Sequence, residues 1–117
     1  MSIEHLTKEQ FGKILPGFLN QPDYKNAGKP VLIDFYASWC GPCKAIAPVL
    51  EELKGKYEGM VGIYKVDVDE ESELANDLKI RSVPTLMFFP AGRPYFVKVG
   101  ASNKSSLEKI IEAELLA

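Results

Sequence analysis

Apolar and polar positions along this chain follow two rhythms, one of period two and one close to 3.6, and the rhythm switches repeatedly. Val31-Leu32-Ile33-Asp34-Phe35-Tyr36 is apolar on both alternating faces except at Asp34, the pattern of a central strand covered on both sides. Ile46, Val49, Leu50 and Leu53 then recur at helical spacing. Pro48 falls inside that helix and predicts a kink, because its ring displaces the carbonyl four residues back. Val61 to Val68 alternates as a strand. Thr85 to Phe89 and Tyr95 to Val99 are strands joined by Pro90-Ala91-Gly92-Arg93-Pro94, which predicts an antiparallel hairpin. A last helix, capped by Asn103, is expected to bury Leu107, Ile110, Ile111 and Leu115.

The weaker signals fill the gaps. Ile3 to Leu6 reads as a short first strand. Thr7 followed by Gln10 forms a capping-box pattern that opens a helix through Phe11, Ile14 and Leu15. Pro16-Gly17 and then Gln21 to Pro30 are rich in breakers and predict a surface loop. Asp69 is expected to cap a short helix carrying Leu74, Ala75 and Leu78. Alternating strands and helices followed by a hairpin imply an α/β fold, one mixed sheet with helices on both faces.

Composition narrows the function. The chain has 117 residues, room for a single domain over 1–117 with one core. At 46% hydrophobic and 26% charged it matches an ordinary soluble globular protein. A formal net charge of −2 gives no basic face for nucleic acid, and no apolar run is long enough to cross a bilayer. Met1-Ser2-Ile3-Glu4-His5 lacks the basic and apolar segments of a signal peptide. A cytoplasmic location is therefore expected, with a periplasmic or exported one as the alternative if a leader has been removed.

Two cysteines are too few for a disulfide framework, so their spacing carries the information. Cys40 and Cys43 lie where the central strand hands over to a helix, separated by Gly41-Pro42. Three residues apart at a helix start, their sulfurs share one face. Helical neighbours at that spacing have Cβ atoms about 5–6 Å apart, against roughly 3.5–4.5 Å in a disulfide. Small distortions of the first turn close that gap, which suits a bond that opens and closes. A thiolate at a helix N-terminus faces unpaired N–H groups and the positive end of the dipole, so its pKa falls. Cys40 is expected to be the exposed nucleophile and Cys43, one turn inside, the buried resolving thiol. Pro42 suits the first helical turn. Tetrahedral zinc wants four ligands, and only His5 and scattered carboxylates are available, so no metal and no cofactor are expected.

Trp39-Cys40-Gly41-Pro42-Cys43-Lys44 after Asp34-Phe35-Tyr36-Ala37, then Val83-Pro84-Thr85, then Lys98-Val99-Gly100-Ala101, resembles the thioredoxin family. The resemblance spans the chain from His5 to the C-terminus. It implies the thioredoxin fold, a five-stranded mixed sheet flanked by four helices. It implies a protein-disulfide reductase acting on disulfide-containing protein substrates, with a thioredoxin reductase as electron donor and the protein monomeric.

It also implies roles for the remaining residues. Asp34, the one charge in an apolar strand, should have its pKa raised by burial; the resemblance places it beneath Cys43, where it accepts the resolving thiol's proton through water. Lys65 has a family counterpart that approaches this carboxylate, while a plain surface lysine on a half-buried strand is the other reading. Pro84 corresponds to a cis proline, leaving Val83's backbone beside the dithiol to pair with a substrate strand. Trp39, Gly41, Pro42, Val83, Pro84, Gly100 and Ala101 together would make a flat apolar rim for docking around Cys40. His5 has no evident role.

Three features depart from the family pattern. Tyr36 stands where Trp is usual, Val83 where isoleucine is common, and the loop from Pro16 to Lys29 is long. Two other functions compete: a thiol oxidase or isomerase of an exported compartment, and a redox-inert binding module. The full set Cys40, Cys43, Asp34 and Pro84 favours the reductase.

Overall fold

The computed structural model describes residues 3–21 and 23–116. In chain order the elements are β1 (Glu4–His5), α1 (Lys8–Ile14), a 3-10 turn (Phe18–Asn20), β2 (Val31–Tyr36), α2 (Gly41–Lys56) and β3 (Gly62–Asp67). There follow α3 (Ser72–Asp77), β4 (Thr85–Phe89), β5 (Phe96–Val99) and α4 (Lys104–Ile110), which continues as a π-helical turn over Ile111–Leu115.

The strands form one five-stranded sheet in the order β1-β3-β2-β4-β5. β3 runs parallel to both β1 and β2, whereas β4 is antiparallel to β2 and to β5. This is the mixed sheet expected from alternation ending in a hairpin.

The alternation within β2 builds two cores. Val31, Ile33 and Phe35 pack with Leu6, Phe11, Leu74 and Phe89 on the α1 and α3 side. Leu32 packs with Ile46, Leu50, Leu53, Leu107 and Ile111 on the α2 and α4 side. Ile46, Leu50 and Leu53 of α2 are buried almost completely, each stabilising the fold by about 1.5–3 kcal/mol relative to exposure. By period two, Asp34 shares the face of Leu32 and so lies under α2.

Local signals account for most helix boundaries. Thr7 Oγ1 accepts from the Gln10 N–H at 3.2 Å and Gln10 Oε1 accepts from the Thr7 N–H at 2.9 Å, a complete capping box. Asn103 Oδ1 accepts from the Ser106 N–H at 2.8 Å, capping α4. Helix α2 continues across Pro48 to Lys56.

Three expectations are corrected. Asp69 does not cap α3: Glu71 occupies that position without a side-chain bond. The chain turns as soon as it leaves β3, so the first free N–H groups, those of Asp69 and Glu70, are taken by the Asp67 carboxylate at 2.9 and 3.3 Å. The segment Gln21 to Pro30 is not wholly a surface loop, because Tyr24 and Asn26 are buried. Asn26 Nδ2 donates to the carbonyls of Lys29 and Phe89 at 2.8 and 3.2 Å, which supplies bonds the irregular backbone lacks. Ile110 is only half-buried, unlike Leu107, Ile111 and Leu115.

Candidate active site

Strand β2 ends at Tyr36, and a short turn delivers Trp39 and Cys40 to the start of α2. Cys40 is the N-cap, with extended backbone, and Pro42 sits in the first turn, where its missing N–H costs nothing. Cys40 and Cys43 are joined as a disulfide with Cα atoms 5.2 Å apart. The Cys43 N–H donates to Cys40 Sγ at 3.1 Å, so Cys40 holds one of the N–H groups that a helix N-terminus leaves unpaired.

The expected contrast in exposure is absent: both cysteines are 4% exposed. Cys40 is covered because Ala37, Cys43 and the half-buried Tyr36, Val68 and Val83 pack around it, and its Sγ lies 3.7 Å from the Val83 carbonyl oxygen. Electrostatics rather than exposure distinguishes the two sulfurs, since Cys40 receives the helix N–H.

Val83 and Pro84 arrive from the loop before β4, and the Val83–Pro84 bond is cis. The Gly100 N–H donates to the Pro84 carbonyl at 2.8 Å, which ties the end of β5 to this turn. Gly100 has φ +96 with open space where a Cβ would go; the left-handed backbone, not crowding, is what favours glycine there. Trp39, Gly41, Pro42 and Ala101 are exposed, Val83 and Gly100 half-buried. Pro84 is buried, so it adds no exposed surface beside Cys40. Trp39 is 69% exposed, and its indole Nε1–H donates to Asp69 Oδ2 at 2.9 Å. Asp69, expected as the cap of α3, accepts the indole hydrogen bond instead.

Asp34 is buried, and its Oδ1 has no hydrogen-bond partner among the described residues. Burial pushes its pKa up to about 7, opposed by the positive charge of Lys65. Lys65 stands directly across from Asp34 in the β2–β3 register and is half-buried. Its Nζ lies 5.5 Å from the centre of the Tyr36 ring, within cation–π range. Tyr36 Oη and His5 Nδ1 share a hydrogen bond of 3.0 Å, a partnership for His5 that the sequence reading missed. Burial raises the Tyr36 pKa to about 12, with the carboxylates of Asp67, Glu70 and Asp34 adding to it. Among the described residues no group of three or more His, Cys, Asp or Glu could hold a metal ion.

A dithiol at a strand-to-helix junction, faced by a cis-proline turn, and a buried carboxylate in the strand that leads to it are now defined in space. The family model described as thioredoxin matches residues 3–113. The chain belongs to the thioredoxin family. A thioredoxin of Borreliella burgdorferi is 38% identical over 108 residues, covering 92% of each chain. A bifunctional thioredoxin reductase/thioredoxin of Mycobacterium leprae is 44% identical over 85 residues, which cover 73% of this chain and 19% of that protein. The crystal structure of chloroplastic thioredoxin z superposes with a TM-score of 0.81 at 30% identity, covering 97% of this chain and 94% of that one. The five-stranded mixed sheet with its four helices is the thioredoxin fold. With the family's dithiol closed into a disulfide, the chain is a thiol–disulfide oxidoreductase whose redox pair is Cys40–Cys43.

Proposed function

We propose that this thioredoxin-family chain reduces disulfides in extended segments of target proteins, with Cys40 as nucleophile and Cys43 as resolving thiol. The observation that carries the assignment is the Cys43 N–H bond to Cys40 Sγ at the N-terminus of α2, which favours the Cys40 thiolate. In the reduced protein the Cys40 thiolate attacks one target sulfur, and the other leaves as a thiolate. Asp34, its pKa near neutrality, takes the Cys43 proton through water. The Cys43 thiolate then attacks Cys40 Sγ, the mixed disulfide breaks, and the target leaves with two electrons while Cys40–Cys43 closes.

Trp39, Gly41, Pro42, Val83, Gly100 and Ala101 form the docking rim, with Pro84 buried next to Val83 and Lys65 moderating Asp34. Regeneration needs a two-electron donor, and a thioredoxin reductase fits; the Mycobacterium leprae relative is named for both activities. A single domain over 1–117, a monomer and a reducing cytoplasm complete this reading. Among the described residues no helix is long and apolar enough to cross a membrane.

The test follows insulin disulfide reduction with the reduced protein. Cys40→Ser should abolish turnover, and Cys43→Ser should accumulate a mixed disulfide through Cys40. Iodoacetamide at pH 7 should label Cys40 first; faster labelling of Cys43 would reverse the roles.

A further inference from the structure

A groove of about 650 Å³ lies on the α3 side of the sheet, between the 3-10 turn, the segment that follows α3, and β5. Its floor is apolar. Val97 and Val99 share one face of β5 and are 47% and 63% exposed; Tyr95, just before β5, and Leu19 of the 3-10 turn line the same groove at 42% and 39%. Phe96 packs into the core on the other face, Val97 and Val99 stay exposed on this one, and among the described residues β5 pairs only with β4. Its outer edge therefore offers a row of backbone N–H and C=O groups.

The rim of the groove is basic. Lys79 and Arg81 line it, both exposed, and neither makes an ion pair among the described residues. The one carboxylate lining the groove, Asp77, is already paired with Lys8 at 2.9 Å. Lys79 has φ +58, a left-handed conformation that a lysine rarely adopts. Both walls lead to the dithiol. The basic segment runs through Ser82 into Val83, and β5 ends at Val99 beside Gly100.

We infer that this groove is a second docking subsite for target proteins: it takes an extended segment with apolar side chains at alternate positions and carboxylates at one end. Such a segment adds to the free edge of β5, placing every second side chain beside Val97 and Val99, while Lys79 and Arg81 select the carboxylates. The inference rests on the reductase reading for its purpose. Its recognition step stands apart from the sulfur chemistry.

The experiment uses fluorescein-labelled, cysteine-free peptides of the form Glu-Glu-Val-Thr-Val-Thr-Val, with the charged pair at either end in turn, and their Lys-Lys counterparts. Fluorescence anisotropy with the intact protein at low salt should show the acidic peptides binding about tenfold more tightly than the basic ones. The preference should shrink in high salt. Lys79→Glu with Arg81→Glu should reverse it, and Val97→Lys should weaken both peptide types, with circular dichroism confirming that each variant is folded.

Equal binding of acidic and basic peptides by the parent overturns the inference. So does a concentration-dependent dimer lost in Val97→Lys, which would put a second copy of the chain on β5. Turnover of a small disulfide by the parent separates the two claims. Turnover without peptide preference removes the groove alone. Peptide preference without turnover leaves the groove standing and removes the reductase reading.

Discussion

At the scale of single residues, Asp34 is where stability and activity pull apart. Its folded pKa of about 7 lies above an unfolded value near 3.9, so between those pH values the folded protein binds more protons than the unfolded chain. Stability from this group is fully present below about pH 4 and is lost as pH rises through about 7. Asp34→Asn keeps the shape without the ionisation. It should be more stable than the parent at pH 8 by on the order of 4 kcal/mol, with the gap closing toward pH 4. The same change removes the proposed proton acceptor for Cys43, so turnover with insulin should fall. Denaturant unfolding of the oxidised proteins at pH 4, 6 and 8 checks the first part. A parent as stable as the variant at pH 8 would show that burial does not raise this carboxyl, and equal turnover would remove its proton-transfer role.

At the scale of elements, the long segment between α1 and β2 is held by aromatic packing rather than by regular hydrogen bonding. Phe18 of the 3-10 turn makes edge-to-face contacts with Phe11, Tyr24, Phe89 and Tyr95 at centroid separations of 5.1–5.9 Å. Pairs of this kind are worth about 0.5–1.5 kcal/mol each beyond simple burial. Because Tyr95 belongs to the β4–β5 connection, Phe18 clips the loop to the far end of the sheet. Phe18→Ala should destabilise the protein by about 2–4 kcal/mol, read as a shift of the denaturant midpoint. It should also raise hydrogen exchange of the Tyr24 and Asn26 amides ahead of the core strands. A loss below 1 kcal/mol with unchanged exchange would mean that Asn26 alone anchors the segment.

At the scale of the whole molecule, the sheet brings together pieces that are remote in the chain. Trp39 precedes α2, Asp69 follows β3, and their hydrogen bond spans 30 residues of sequence. Trp39 is the only tryptophan, so tryptophan fluorescence reports its surroundings, this contact included. Asp69→Ala should shift its emission and lower kcat/KM for protein disulfides a few-fold, with a stability change below about 1 kcal/mol because both groups are exposed. An unchanged spectrum would mean that the indole is held by other contacts. The sequence by itself determined the elements and the chemistry. Period-two and helical spacing placed the central strand and α2, Thr7-Gln10 and Asn103 marked helix starts, and Cys40-Gly41-Pro42-Cys43 at a strand-to-helix junction named the dithiol. These signals are local, written in side chains a few residues apart. Only the tertiary structure decided that Cys40 is as covered as Cys43, that Pro84 is buried, that Asp69 bonds Trp39 instead of capping α3, and that His5 meets Tyr36. Each of these depends on which strands lie side by side, and strand order is set by the burial of two whole sheet faces at once, a sum over distant residues that no short stretch of sequence contains.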